Sequence, residues 1–149
     1  VTVIEDVNEK APFALKQFGF GKIERKPLAF GDYTIKGLEK ILIVERKSLE
    51  DLVLSITKTR KTMDKRVLAM RSFRYAFFVG EFSMTDIVEH CYRGATTEQS
   101  IIGTLAKYQS MGVSILNADN GYVASRVCAR LLFFVACEVY NYAKLFPIK

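Results

Sequence analysis

Histidine occurs once in this chain of 149 residues, at position 90, and cysteine three times, at positions 91, 128 and 137. The cysteines are odd in number and none stands in a CxxC pair, which excludes a disulfide framework and a cysteine-ligated zinc site. All three are expected to be reduced packing residues, as suits a cytoplasmic or nuclear compartment. His90 has no second ligand or base nearby in the sequence and is read as a loop or helix-end residue. Long apolar runs are also missing. The longest uncharged one, Leu131–Cys137, falls far short of the roughly 18 residues that a membrane span needs, so no membrane role is expected. There is no basic-then-apolar leader, and the absence of an initiator methionine suggests a trimmed N-terminus. Internal repeats, low-complexity tracts and linkers are absent as well. The length suits a single domain, residues 1–149, and half hydrophobic with 26% charged residues is a globular balance.

The net charge of +6 is concentrated. Lys58, Arg60, Lys61, Lys65, Arg66, Arg71 and Arg74 face a single acid, Asp64, between positions 58 and 74, while the rest of the chain is neutral. Such a stretch suits a phosphate backbone, whose affinity comes largely from counterion release. Taken alone it would also describe a solvated helix face.

Periodicity and turn residues predict a mixed α/β fold. Val1–Val7 reads as a buried strand ending at Glu5-Asp6, and residues 8–21, with Pro12, Gly19 and Gly21, as a loop holding a short helix around Phe13–Phe18. Gly19-x-Gly21 is turn chemistry, too short for a dinucleotide fingerprint. Lys22–Leu28, Asp32–Ile35 and Ile41–Arg46 read as three strands of an antiparallel meander. Ser48, with Asp51 three residues on, caps a helix from Leu49 to about Ile56. Thr59 or Thr62 opens the basic helix, whose Met63, Val67 and Met70 face a core while Lys61 and Lys65 point away. Tyr75–Val79 follows as a strand, Thr97–Met111 as a helix, Val113–Leu116 as a strand, and Asp119–Lys144 as a long helix capped near Asp119 or Asn120. Val127, Leu131, Leu132, Phe133, Phe134, Val135 and Val139 cover more than one face of that last helix, so it is either buried in a thick core or part of a subunit interface. Arg126, Arg130 and Glu138 interrupt it. Tyr33, Tyr75 and Tyr108 are read as packing residues rather than base-stacking platforms.

The most informative segment is Glu45-Arg46-Lys47, entered through the apolar run Ile41-Leu42-Ile43-Val44 and preceded by Gly31-Asp32-Tyr33. On a strand, Glu45 and Lys47 project to one face, where a carboxylate from a neighbouring strand can join them, and Arg46 projects to the other. Acidic oxygens beside an ammonium suit metal-assisted phosphodiester hydrolysis. The cation acidifies water and offsets phosphate charge, and the ammonium shares the second task. Arg46 is expected to form a structural ion pair with an acidic residue of the core.

Asp6-Val7-Asn8-Glu9, then Gly31-Asp32, then Glu45-Arg46-Lys47-Ser48-Leu49-Glu50-Asp51, resembles the XPF/ERCC-type nuclease domain, with its GDx(n)ERKx(3)D signature preceded by an Asp-x-Arg-Glu element. The resemblance implies a restriction-endonuclease-like PD-(D/E)xK core, a mixed central sheet flanked by helices. It implies that Asp32, Glu45 and the main-chain carbonyl of Arg46 bind Mg²⁺ or Mn²⁺. Asp6 and Asp51 would complete the acidic cluster, through metal-bound waters, with Glu9 close by. Lys47 would orient the attacking water and stabilise the scissile phosphate. Arg60 and Arg66, with Lys61 and Lys65, would contact DNA. The implied activity is cleavage of branched, flap, fork or junction DNA in repair, recombination or replication, by a homodimer joined through the C-terminal helices. Such a chain is either a small stand-alone form of phages and prokaryotes or an excised domain. The alternative is a catalytically inactive DNA-binding or scaffolding subunit; intact Asp32, Glu45, Lys47 and Asp51 favour the enzyme. One departure is Asn8, where the resemblance calls for arginine, because asparagine supplies no fixed positive charge.

Overall fold

Six short strands rich in β-branched and aromatic residues pair into one mixed sheet in a computed structural model that describes residues 1–145. They are β1 (Thr2–Asp6), β2 (Lys22–Lys26), β3 (Tyr33–Ile35), β4 (Leu42–Lys47), β5 (Tyr75–Gly80) and β6 (Ser114–Asn117), in the spatial order β2-β1-β3-β4-β5-β6. The helices are α1 (Leu49–Thr57), α2 (Arg60–Met70), α3 (Met84–Val88), α4 (Glu98–Ser110) and α5 (Gly121–Leu145), with a 3-10 turn at Leu15–Phe18. The expected α/β class, a mixed sheet flanked by helices, is the observed one.

The expected meander is not. β3 and β4 are antiparallel as read, but β2 does not pair with β3: β1 lies between them, parallel to β2 and antiparallel to β3. The physical reason lies in what each strand can bury. Val3 and Ile4 are buried, so β1 needs neighbours on both edges, whereas Lys22, Glu24, Arg25 and Lys26 suit β2 to the outside, where charge blunts further pairing. The β2–β3 connection therefore crosses the end of β1, where the Leu28 amide donates to Asp6 Oδ1 at 2.9 Å.

Two apolar cores lie on opposite faces of the sheet. One packs Ile43, Ala76 and Phe78 against Leu52 of α1, Met63 and Val67 of α2, and Ile101 and Leu105 of α4. The other packs Val3, Tyr33, Val44 and Val79 against Phe13 and Leu15 and against Ala124, Cys128 and Leu132 of α5. Strand alternation sends Ile43 to the first core and Val44 to the second, and it continues into the site residues that follow.

The caps are legible locally. The Ser48 hydroxyl accepts from the Asp51 amide at 3.1 Å, and Asn120 Oδ1 accepts from the Val123 amide at 3.0 Å at the start of α5. α3 was not expected, although its capping box, Ser83-x-x-Asp86, stands in the sequence. Of the three cysteines, all free, Cys128 is buried and Cys137 half-buried, but Cys91 is exposed rather than packed; it follows α3, where His90 takes φ 55° in a turn. Among the described residues, no helix is long and apolar enough to cross a membrane.

The lone acid of the basic helix is an anchor. Asp64 Oδ1 accepts from the fully buried Tyr108 hydroxyl at 2.8 Å, and Asp64 Oδ2 meets Lys107 Nζ at 3.2 Å, which fastens α2 to α4. Tyr108→Phe should lower stability by about 1.5–3 kcal/mol in urea titration, the usual worth of a hydrogen bond to a charged acceptor. An unchanged midpoint would remove this anchor.

Candidate active site

Three acidic residues reach one cleft from neighbouring strands. The Asp6 amide donates to the Asp32 carbonyl and the Asp32 amide to the Val44 carbonyl, both at 2.8 Å, so Asp6, Asp32 and Glu45 come from β1, the residue preceding β3, and β4 in turn. Gly31 makes this approach, with φ 67°; a Cβ there would lie 2.4 Å from the Ile43 side chain. Asp32 Oδ2 accepts from the Arg46 amide at 2.7 Å, which ties the loop carboxylate to the backbone of β4.

Glu45 is almost wholly buried, and alternation puts it on the face of α2. Its Oε2 meets Arg66 Nη2 at 2.9 Å and its Oε1 lies 3.9 Å from Lys47 Nζ. Burial raises the pKa of Glu45, against the lowering influence of Arg66 and Lys47. Asp32 is pushed up to about 8, by burial and then by the negative charge of Glu45, despite the Arg46 amide. Two carboxylates that resist ionising together form a place where a cation is stabilised.

Arg46 points the other way and takes the expected structural pairing. Its guanidinium forms a double contact with Glu81, at 2.7 and 2.9 Å, meets Glu9 at 3.1 Å and lies over the Phe13 ring. Glu81 was missed from sequence; its position just past β5, the neighbour of β4, was the available signal.

The acidic residues line an open cleft of about 670 Å³, with Asp6, Glu9, Asp32, Glu45, Lys47 and Asp51 on its wall. Asp51, on the first turn of α1, is exposed. Both oxygens of Asp6 already accept backbone amides, from Leu28 and Asn8, so this carboxylate shapes the loop around it. Of the expected DNA contacts, Lys61 and Lys65 are exposed, Arg60 is half-exposed beside Asp64, and Arg66 is engaged with Glu45. A larger groove, about 1030 Å³, lies along α5 and is lined mainly by apolar side chains. Its lining holds a single carboxylate, Glu138, whereas the smaller cleft gathers several.

Among the described residues, no three of histidine, cysteine, aspartate and glutamate form a ready metal cage. The carboxylates of Asp32 and Glu45 at an open cleft instead suit a hard cation such as Mg²⁺ that retains several waters. They fit zinc poorly, which prefers four nitrogen or sulfur ligands.

The family described as "ERCC4 domain" matches residues 4–129. Among solved structures, XPF from Aeropyrum pernix is similar, with a TM-score of 0.74 over 97% of this chain and 70% of that one, at 22% identity. Among curated proteins, none matches the chain.

Proposed function

Because the chain belongs to the ERCC4 domain family, we propose that it is a metal-dependent endodeoxyribonuclease acting on branched, flap, fork or junction DNA. The observation that carries this reading is the neighbouring pair Asp32 and Glu45, whose ionisation burial and mutual repulsion oppose, at a cleft open to a polymer. Asp32, Glu45 and the carbonyl of Arg46 would hold Mg²⁺ or Mn²⁺, with Asp6 and Asp51 acting through bound waters. When bound, the cation supplies a more acidic water and charge compensation for the phosphate.

The chain's own groups do the rest. Lys47 follows Glu45 on the same face, its ammonium near Glu45 Oε1, where it can orient the attacking water and neutralise the scissile phosphate. The Arg46 amide fixes Asp32, and Arg66 fixes the outer oxygen of Glu45, so both carboxylates meet substrate already oriented. α2 offers Lys61 and Lys65 to the DNA backbone while Asp64 holds the helix in place. A homodimer through α5 accords with its exposed Phe133, Phe134 and Tyr140 and with the apolar groove beside them.

The test is a cleavage panel of linear, flap, fork and four-way-junction DNA in Mg²⁺, in Mn²⁺ and in chelator. Cleavage restricted to the metal-containing reactions and favouring branched substrates is expected. Binding without cleavage under every metal would turn the reading into a scaffolding subunit. Independently, neutralising Arg60, Lys61 and Lys65 together should weaken DNA binding and flatten its salt dependence by up to about 0.9 per lost phosphate contact. An unaltered slope would take α2 out of the DNA interface.

A further inference from the structure

Positive charge on both walls favours a polyanion in an acidic cleft, and from α2 only Arg66 lines this one. The two walls come from opposite faces of the sheet. α1 and α2 belong to one core, and the segment that follows β1 belongs, through Phe13 and Leu15, to the other. Of the cations lining the cleft, Arg46 is engaged by Glu9 and Glu81, and Lys47 and Arg66 face Glu45. Lys10 is exposed, lines the same cleft and, among the described residues, has no acidic partner.

The loop that carries Lys10 is held from behind. Arg25, on the edge strand β2, sends Nη2 to the main-chain carbonyls of Glu9 at 2.8 Å, Val7 at 3.2 Å and Asp6 at 3.4 Å, while its Nε pairs with Glu5 at 3.0 Å. Further ties come from the Asn8 amide to Asp6 Oδ2 at 3.2 Å, the Ala11 amide to Glu9 Oε1 at 2.9 Å, and Glu9 to Arg46. These ties fix the backbone from which the loop's one free side-chain charge, Lys10, projects on its flexible stem.

We propose that residues 7–11 form a second grip on the DNA backbone, with Lys10 contacting a phosphate across the cleft from α2 and Arg25 acting as the positioning residue that holds the loop. The inference rests on the nuclease reading above. An ammonium is a point charge that binds phosphate without a fixed orientation, so this wall grips DNA irrespective of sequence. Arg25 works through the loop rather than on DNA, because Glu5 and three carbonyls occupy its guanidinium.

The test is fluorescence anisotropy with a labelled DNA fork in Mg²⁺ across a series of salt concentrations, using Asp32→Asn protein as the parent so that the fork stays whole. Lys10→Gln should weaken binding several-fold and make the log–log salt slope shallower by about 0.9, whereas Lys10→Arg should retain both. Arg25→Ala should weaken binding in the same direction, Arg25→Lys less, and adding Arg25→Ala to Lys10→Gln should cost little more than Lys10→Gln alone. Thermal unfolding of each variant separates a loosened loop from a lost fold. A Lys10→Gln slope equal to the parent's overturns the inference while leaving the nuclease reading intact. A parent that shows no salt-dependent DNA binding overturns the nuclease reading, and this inference falls with it.

Discussion

Asp32→Ala, Glu45→Gln and Lys47→Ala should each slow cleavage of a fork or flap in Mg²⁺ by about 10²-fold or more, the scale on which removing one preorganised electrostatic contact acts. Initial rates on an end-labelled substrate measure it, and rates within a few-fold of wild type would dismiss these side chains from the chemistry. Acidity sharpens the expectation. With the Asp32 carboxyl raised from its ordinary 3.8 to about 8, the folded state holds this proton more tightly than the unfolded chain does. The stabilisation that follows is complete below pH 3.8 and is lost as pH climbs to about 8. Metal-free protein should therefore weaken in urea over that interval, and Asp32→Asn, which keeps an acceptor for the Arg46 amide, should make the decline shallower, leaving the share that the raised Glu45 contributes, while slowing cleavage as Asp32→Ala does. Cleavage should rise with pH over the same interval, and the rise should move to lower pH as Mg²⁺ is increased, since a cation favours the ionised carboxylate. A urea midpoint in Asp32→Asn that falls with pH as steeply as wild type would refute the assignment to Asp32.

Arg46→Ala should be the most destabilising single change in the site, by about 3–5 kcal/mol, because it strips the counter-charge from two carboxylates that are largely out of water. The Glu9 side chain is 7% exposed and that of Glu81 13%. Arg46 bridges them, and Glu81 lies close to Gly121, where a Cβ would come within 3.2 Å of its Oε1. One guanidinium on β4 thus joins the loop after β1 to the end of β5. Arg46→Lys should recover only part of the loss, since an ammonium cannot reproduce the paired contact with Glu81. Equilibrium urea unfolding decides this, and a midpoint within experimental error of wild type for Arg46→Ala would leave the bridge without energetic weight. The position is one removed from two proposed catalytic side chains, so its loss should also lower cleavage, by loosening β4 rather than by removing a reacting group.

Much of this was readable along the chain because it depends on neighbours in sequence. Alternation from Ile41 to Lys47 sorted Glu45 and Lys47 from Arg46, Ser48 and Asn120 capped α1 and α5 as their side chains predict, and Met63, Val67 and Met70 faced a core at helical spacing. What escaped depends on residues far apart. Nothing local reveals that β1 slips between β2 and β3, since a strand's choice of partner is decided by which surfaces the whole sheet must cover. The same holds for individual charges: Asp64 reads as one acid in a basic run and proves to be an anchor for Tyr108, while Arg66 reads as a free surface cation and turns inward to Glu45. Local periodicity fixes which way a side chain faces. Only the assembled sheet fixes what it meets there, because an ion pair or a shared metal site needs atoms within a few ångströms that the chain delivers from segments dozens of residues apart.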